Sequence, residues 1–170
     1  SSVSKIIEAN IAVFGQVKNS LNEIIKLCEL KKGMINTKKI SSWKNQIEEW
    51  KKSHGLNHDM YLENSDDSPI MPQAVVQHVY NITKGKAFVT SDVGQHQMFA
   101  AQYYHFDEPR KWINSGGLGT MGFGLPSAMG VKLAFPNDEV VCITGEGSIQ
   151  MCIQELSTCT QYNLPIKIIN

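Results

Sequence analysis

The stretch that decides the fold runs from Trp112 to Ser148 and reads WINSGGLGTMGFGLPSAMGVKLAFPNDEVVCITGEGS. A glycine-rich turn opens a helix of small residues, which leads to a short apolar strand that ends in Gly145-Glu146-Gly147-Ser148. A strand that passes through a glycine turn into a helix N-terminus presents backbone N–H groups to a phosphate. The stretch therefore predicts an α/β sheet that binds a phosphorylated cofactor.

The same alternation of strands and helices extends over the second half of the chain. Apolar runs predict strands over 87–90, 112–114, 139–144 and 166–169, and the segments between them predict helices over 72–83, 95–103, 121–135 and 149–162. Strands that alternate with helices form a parallel sheet with right-handed crossovers. We therefore expect an α/β fold, with a parallel sheet covered by helices on both faces.

The first part of the chain has a different pattern. Ile11–Phe14 is expected to be a short strand, and apolar residues at helical spacing predict a helix from Val17 to Leu27. In the polar segment 31–68, tryptophans and isoleucines three and four residues apart predict an amphipathic helix over Ser42–Ser53. Turn-forming residues over 64–69 mark the expected domain boundary.

Composition excludes several classes of function. Sixteen basic and sixteen acidic residues cancel, so no overall field favours nucleic acid, and no apolar run approaches the ~20 residues that span a membrane. The four cysteines are far apart, without a C-x-x-C pair, and are expected to be reduced. Reduced thiols favour the cytoplasm, or an organelle matrix in a eukaryote.

Three loops are expected at the carboxyl ends of strands, where open α/β sheets bind ligands. They are Asp92–His96, Asn114–Met121 and Thr144–Ser148. The glycines of the second loop do not have the G-x-G-x-x-G spacing of a dinucleotide fingerprint. They either let the backbone approach a flat ligand closely or serve helix-to-sheet packing.

Glu146 is unusual because its carboxylate lies between two glycines, in a loop whose amides favour anions. A Mg²⁺ ion that bridges the carboxylate to a diphosphate would remove this conflict. The alternative is an ordinary tight turn in which Ser148 caps a helix. His96 leaves a similar choice, because its imidazole at a helix start could donate to a phosphate or could be an ordinary partly buried histidine.

Together, three stretches resemble one enzyme family: Ser91–Met98 (SDVGQHQM), Ser115–Gly122 (SGGLGTMG) and Gly145–Met151 (GEGSIQM). They are similar to the large catalytic subunit of acetohydroxyacid synthase, also called acetolactate synthase, which depends on thiamine diphosphate. The resemblance runs through Pro69–Asn170. It implies that 69–170 is an incomplete thiamine diphosphate-binding domain, that 1–30 is the end of a middle domain, and that 31–68 is a linker.

The resemblance also implies roles for individual residues. The residues implied to bind thiamine diphosphate are Val93, Gly94, Gln95, His96, Gly119, Met121, Gly147 and Ser148. Gly119 and Met121 would lie against the aminopyrimidine, and the others around the diphosphate. Glu146 stands where the family has a metal-binding Asp. The Glu side chain is longer by one methylene group, so the affinity of the site for Mg²⁺ stays open. No catalytic residue is implied in this chain, because the activating glutamate of the family lies in another domain.

The implied activity belongs to the full-length enzyme. It decarboxylates pyruvate and joins the two-carbon unit to a second 2-ketoacid, pyruvate or 2-ketobutyrate, in branched-chain amino-acid synthesis. The implied partners are further large subunits in a dimer or tetramer. Whether the full-length enzyme also has a small regulatory subunit, and whether it binds FAD mainly outside this chain, stays open. Because the chain starts at Ser1 and ends after a strand, we expect an inactive fragment. Two alternatives also stay open: another thiamine diphosphate-dependent 2-ketoacid decarboxylase or oxidase, and a non-catalytic homologue with an impaired metal site.

Overall fold

The structure is a computed structural model that describes residues 3–55 and 69–170. The chain divides into two compact units, Ser1–Ser53 and His54–Asn170. The finer division into segments 1–30, 31–68 and 69–170 stays a prediction, and most of the expected boundary at 64–69 lies outside the described residues.

The first unit is helical. Helix α1 spans Val17–Leu30, a 3₁₀ turn spans Lys32–Met34, and helix α2 spans Thr37–His54. Helix α2 begins earlier than predicted because the Asn36 side chain accepts a hydrogen bond from the Lys39 amide, 3.0 Å away, and so caps the first turn.

The expected strand over 11–14 is wrong. These residues are irregular, and no strand occurs among residues 3–55. A strand is stable only when a neighbouring strand takes up its backbone hydrogen bonds, and the described part of this unit offers none.

The second unit contains the predicted parallel sheet. Its strands are β1 (Phe88–Ser91), β2 (Trp112–Asn114), β3 (Val140–Ile143) and β4 (Lys167–Ile169), in the order β2-β1-β3-β4 and all parallel. Its helices are α3 (Pro72–Thr83), α4 (Gln95–Tyr103), α5 (Gly124–Ala134), α6 (Glu146–Gln150) and α7 (Glu155–Gln161). The predicted α/β fold class is confirmed.

Helices cover both faces of this sheet because side chains alternate along each strand. On one face, Val89 and Val141 pack with buried residues of α3 and α4. On the other face, Phe88 and Cys142 pack with Leu125 of α5 and with residues that follow β3. Both inner strands are buried along their whole length, as expected for a parallel sheet between helices.

Two helices differ from the prediction. Helix α5 begins at Gly124 rather than Met121, because Gly122 has a φ of +81°, which a right-handed helix does not accommodate. The helix expected over 149–162 is two helices, and the turn between them includes a hydrogen bond from the Cys152 amide to the Ile149 carbonyl at 3.1 Å. This spacing of three residues tightens the chain and interrupts the helix.

Two further expectations bear on the class of protein. All four cysteines, Cys28, Cys142, Cys152 and Cys159, are free thiols. Within residues 3–55 and 69–170, no helix is both long and apolar enough to cross a lipid bilayer.

Candidate functional site

The site lies where the parallel strands end together. Ser91 at the end of β1 is in register with Asn114 of β2 and with Ile143 of β3, and Ile143 is in register with Ile169 of β4. The chain turns in opposite directions after β1 and after β3, toward helices on opposite faces. Such a point of reversal opens a crevice between two loops, which is where open α/β sheets bind ligands.

A cavity of about 850 Å³ occupies this crevice. Among the residues predicted to bind the cofactor or metal, all except Gly119 line it: Val93, Gly94, Gln95, His96, Met121, Glu146, Gly147 and Ser148. The structure therefore brings together residues from three separate loops, although it does not test the roles assigned to them.

Gly119 lies just behind this lining. A Cβ built on Gly119 would be 3.9 Å from Cγ1 of Val93, so the loop after β2 reaches the loop after β1. Its φ of +67° is a backbone conformation that favours glycine. The Gly119 amide donates to the Ser115 carbonyl at 2.7 Å, which closes the turn.

His96 is positioned by glycines on both sides. Gly94, with a φ of +154°, caps the start of α4, and a Cβ there would come within 2.8 Å of Cε1 of the imidazole. A Cβ on Gly145 would come within 2.9 Å of Nδ1. Two glycines from different loops therefore make room for one aromatic ring.

The imidazole of His96 is partly buried, and its Nε2 atom is buried without a hydrogen-bond partner among the described residues. Burial lowers the pKa of His96, although the nearby charge of Asp92 acts in the opposite direction. Burying a polar atom without a hydrogen bond is unfavourable in free energy. A ligand in the cavity that forms a hydrogen bond with Nε2 would remove this penalty.

Met121 and Gly147 bring the second and third loops together. The Met121 methyl group lies 3.4 Å from where a Cβ of Gly147 would be. Ser148 is buried, and its hydroxyl points toward the Val93 carbonyl at 3.5 Å. The three loops therefore contact one another around the cavity through small residues and one flexible side chain.

Glu146 is exposed at the first position of α6, with its side chain at the cavity. Asn170 also lines the cavity. In the described residues, no group of three or more His, Cys, Asp and Glu side chains has the arrangement of a metal site. Mg²⁺ that is bound together with phosphate groups commonly takes only one or two protein carboxylates.

Charge in the cavity is sparse. In the part of the chain that the structure describes, no Lys or Arg lines it. An anionic ligand would therefore depend on backbone amides, such as those at the start of α4, on His96 and on a bound cation.

Sequence reasoning missed two parts of the site. One is an apolar wall formed by Ile70, Pro72, Val75, Phe99 and Ile169. The other is Asp92, whose buried carboxylate connects two of the loops. Asp92 lies inside a motif that the sequence singled out, but only the burial of its side chain distinguishes it from the solvated Asp of an ordinary loop.

Comparison with known proteins shows what this domain is similar to. Residues 92–170 match the family described as "Thiamine pyrophosphate enzyme, C-terminal TPP binding domain". This match begins directly after β1 and covers the three loops, β2, β3 and β4. The predicted thiamine diphosphate-binding fold is confirmed.

The whole chain is similar to acetolactate synthase large subunits. It is 55% identical over 170 residues to the acetolactate synthase large subunit of Buchnera aphidicola subsp. Schlechtendalia chinensis, and 51% identical over 170 residues to the isozyme 3 large subunit of Escherichia coli (strain K12). Acetolactate synthase 1, chloroplastic, of Nicotiana tabacum is 38% identical over 168 residues. The resemblance drawn from the three motifs is confirmed.

These alignments include 100%, 100% and 99% of this chain, but only 29%, 29% and 24% of the respective relatives. The chain thus spans less than a third of the length of the relatives that it matches.

Proposed function

We propose that this chain is the cofactor-binding part of an acetolactate synthase large subunit. In this proposal, the cavity at the ends of β1 and β3 holds the diphosphate of thiamine diphosphate. The protein that carries the chain would convert two 2-ketoacid molecules, pyruvate with pyruvate or with 2-ketobutyrate, into an acetohydroxy acid and carbon dioxide. The observation that carries the proposal is the convergence of three predicted motifs around one cavity.

The residues present fit the cofactor. Gly94 and Gly145 make room for the His96 ring at the cavity, and the unpartnered Nε2 of that ring offers a polar atom to a ligand. Gly94 provides no side-chain cap for α4, so the amides of Gln95 and His96, which precede the first hydrogen-bonded turn, can donate to phosphate oxygens. Because no Lys or Arg lines the cavity, a divalent cation is needed to offset the charge of a diphosphate.

Mg²⁺ fits as that cation. Glu146 lines the cavity and carries a carboxylate, which is a hard ligand. Since Mg²⁺ commonly takes only one or two carboxylates and completes its shell with phosphates and water, one Glu is compatible with binding. The longer side chain of Glu, compared with Asp, is expected to lower affinity rather than to abolish it.

Each loop has its own task in this proposal. Val93, Gly94 and His96 would bind one side of the diphosphate, and Gly147 and Ser148 the other. Gly119 and Met121 would lie along the aminopyrimidine ring. When bound, thiamine diphosphate supplies the carbanion chemistry that cleaves and forms carbon–carbon bonds next to a carbonyl. The chain itself binds, orients and neutralises the cofactor.

The relatives suggest partners for the full-length protein. They are named large subunits, so we infer assembly with further large subunits and with a small subunit. The amphipathic helices α1 and α2, which contain no buried residue, are consistent with contacts to other parts of such an assembly. FAD would be bound mainly by parts of the protein outside this chain.

The test is product formation by the protein that carries this chain, with pyruvate, thiamine diphosphate and Mg²⁺. We expect 2-acetolactate. Acetaldehyde, acetate or acetyl phosphate as the main product would instead indicate a decarboxylase or an oxidase of the same cofactor class. Thiamine diphosphate binding that is weak and does not respond to Mg²⁺ would indicate a homologue that has lost catalysis.

A further inference from the structure

A buried carboxylate lies directly beneath the cavity. Asp92 has no exposed surface, and each of its side-chain oxygens accepts one hydrogen bond. Oδ1 accepts from the Gly124 amide at 2.9 Å, and Oδ2 accepts from the Thr144 hydroxyl at 2.7 Å. Burying a charge is unfavourable unless it is paired or hydrogen-bonded, so these two contacts are required to keep the carboxylate where it is.

The two donors belong to different loops. Gly124 is the first residue of α5 and ends the glycine loop that carries Gly119 and Met121. Thr144 follows β3 and precedes the loop that carries Glu146. Asp92 itself begins the first loop, which follows β1, so one side chain connects all three loops of the cavity.

The contact with α5 is closely fitted. The Gly124 carbonyl accepts from the Thr90 hydroxyl at 2.9 Å, so Thr90 in β1 and Asp92 just after β1 together bind the carbonyl and the amide of the first residue of α5. A Cβ on Gly124 would lie only 2.7 Å from Oδ2 of Asp92, which means that the carboxylate approaches the helix to this distance only because Gly124 has no side chain. The carboxylate also pairs favourably with the partial positive charge at the start of α5.

Asp92 is not among the residues that line the cavity. Its contacts therefore act on the cavity through Gly124 and Thr144. Charge-assisted hydrogen bonds from a buried carboxylate are short and directional, and they fix the distance between the groups they join better than apolar contacts do.

We propose that Asp92 is a positioning residue of the cofactor site. Its carboxylate sets the spacing of the three loops, and thereby keeps the diphosphate cradle open to the width that the cofactor requires. This inference rests on the proposed function, because it concerns the same site.

The test compares thiamine diphosphate binding in variants of the protein that carries this chain. Thr144→Val removes the hydroxyl with little change in shape, and Thr144→Ser is the matched control that keeps it. We expect Thr144→Val to raise the dissociation constant for thiamine diphosphate about tenfold at saturating Mg²⁺, and Thr144→Ser to stay within about twofold of wild type. Titration calorimetry measures the dissociation constants, and the melting temperature of each variant without cofactor is measured in parallel.

The variant Asp92→Asn distinguishes the effect of the hydrogen bonds made by residue 92 from the effect of its negative charge. The Asn side-chain oxygen can accept from the Gly124 amide, and its NH₂ group can donate to the Thr144 hydroxyl oxygen. We therefore expect Asp92→Asn to bind the cofactor within about threefold of wild type.

Should Thr144→Val fail to fold, Gly124→Ala displaces the carboxylate by a second route. Its matched control is Gly130→Ala in the same helix, where a Cβ meets no atom within 4 Å.

The outcomes are distinct. A purely structural role predicts a lower melting temperature for Thr144→Val with an unchanged dissociation constant, and that result would overturn the inference. If Thr144→Val and Thr144→Ser raise the dissociation constant for thiamine diphosphate equally, the inference is overturned as well. If wild type binds thiamine diphosphate and only these comparisons fail, the proposed function stands without the positioning role. If wild type itself binds no thiamine diphosphate, the proposed function fails, and the inference with it.

Discussion

The imidazole of His96 lies against the main chain of Gly145, with Nδ1 only 2.9 Å and Cε1 only 3.0 Å from where a Cβ would be. Gly145 caps α6 after β3, whereas His96 belongs to the first turn of α4 after β1. Because the ring fits only against a residue without a side chain, the position of His96 depends on the third loop as well as on its own helix.

This contact predicts the effect of adding a methyl group at Gly145. Gly145→Ala is expected to displace the His96 ring and to raise the dissociation constant for thiamine diphosphate at least about tenfold. Gly117→Ala is the matched control, since a Cβ at Gly117 meets no atom within 4 Å. Titration calorimetry on the protein that carries the chain measures both. Equal binding by wild type and Gly145→Ala would show that the ring position is unimportant for the cofactor.

The burial of His96 also predicts how the free energy of unfolding of the cofactor-free protein depends on pH. Burial lowers the pKa of its imidazole in the folded state, and the nearby Asp92 charge offsets this only in part. The unfolded chain therefore takes up the proton first as pH falls, from about pH 6.5 downward. Protons bound preferentially by the unfolded state lower the free energy of unfolding, so stability is expected to fall as pH drops through this window.

The measurement is urea unfolding at pH 7.5 and at pH 5.5, for wild type and His96→Gln. The glutamine variant is expected to lose less stability on acidification than wild type does. His78→Gln, which removes an exposed imidazole from α3, serves as the control and is expected to behave like wild type. An identical loss in wild type and His96→Gln would mean that His96 is not responsible.

The sequence predicted the elements of the second unit well because local and long-range signals agree there. The strand Trp112–Asn114 and the helix from Pro72 to Thr83 have the predicted bounds, and the apolar runs can be buried only in a two-sided sheet. The convergence of the three loops followed from the rule that parallel strands end at one edge.

The failures have physical causes that a sequence pattern does not carry. The strand expected over 11–14 had suitable residues, but residues 3–55 contain no other strand with which it could pair. The break after α6 depends on backbone hydrogen bonds in the turn that follows. The role of Asp92 depends on Gly124 and Thr144, which are distant in sequence and meet it only after folding. The apolar wall of the cavity likewise comes from several separate elements.

The thiols provide a prediction that is independent of cofactor. Burial raises the pKa of the Cys142 thiol to about 12, whereas Cys28 is exposed. Since the thiolate is the reactive form, at pH 8 only about one Cys142 side chain in ten thousand would be reactive even if reagent reached it. Iodoacetamide is expected to label Cys28 rapidly, and Cys142 only in denaturant.

Peptide mass spectrometry after timed labelling distinguishes the two sites, and Cys28→Ser confirms the assignment of the fast reaction. Labelling of Cys142 at a similar rate with and without denaturant would contradict its burial between β3 and α5.

The carboxylate of Glu146 gives the most direct test of metal binding. Glu146→Gln keeps the size of the side chain but removes its charge, so the Mg²⁺ concentration needed for half-maximal thiamine diphosphate binding is expected to rise at least about tenfold. Glu146→Asp is expected to keep Mg²⁺-dependent binding and to lower the required Mg²⁺ concentration, because the shorter side chain suits the small octahedral ion.

The control for these variants is Glu108→Gln, which removes an exposed carboxylate that does not line the cavity. It is expected to leave the Mg²⁺ requirement unchanged, so any general effect of lost negative charge is measured separately. If Glu146→Gln and wild type require the same Mg²⁺ concentration, Glu146 is not a ligand. A cation that offsets the charge of the diphosphate would then have to be held by groups other than Glu146. If Glu146→Asp alone restores both Mg²⁺ dependence and acetolactate formation, the extra methylene of Glu146 has disabled the metal site, and the protein would act in assembly rather than in catalysis.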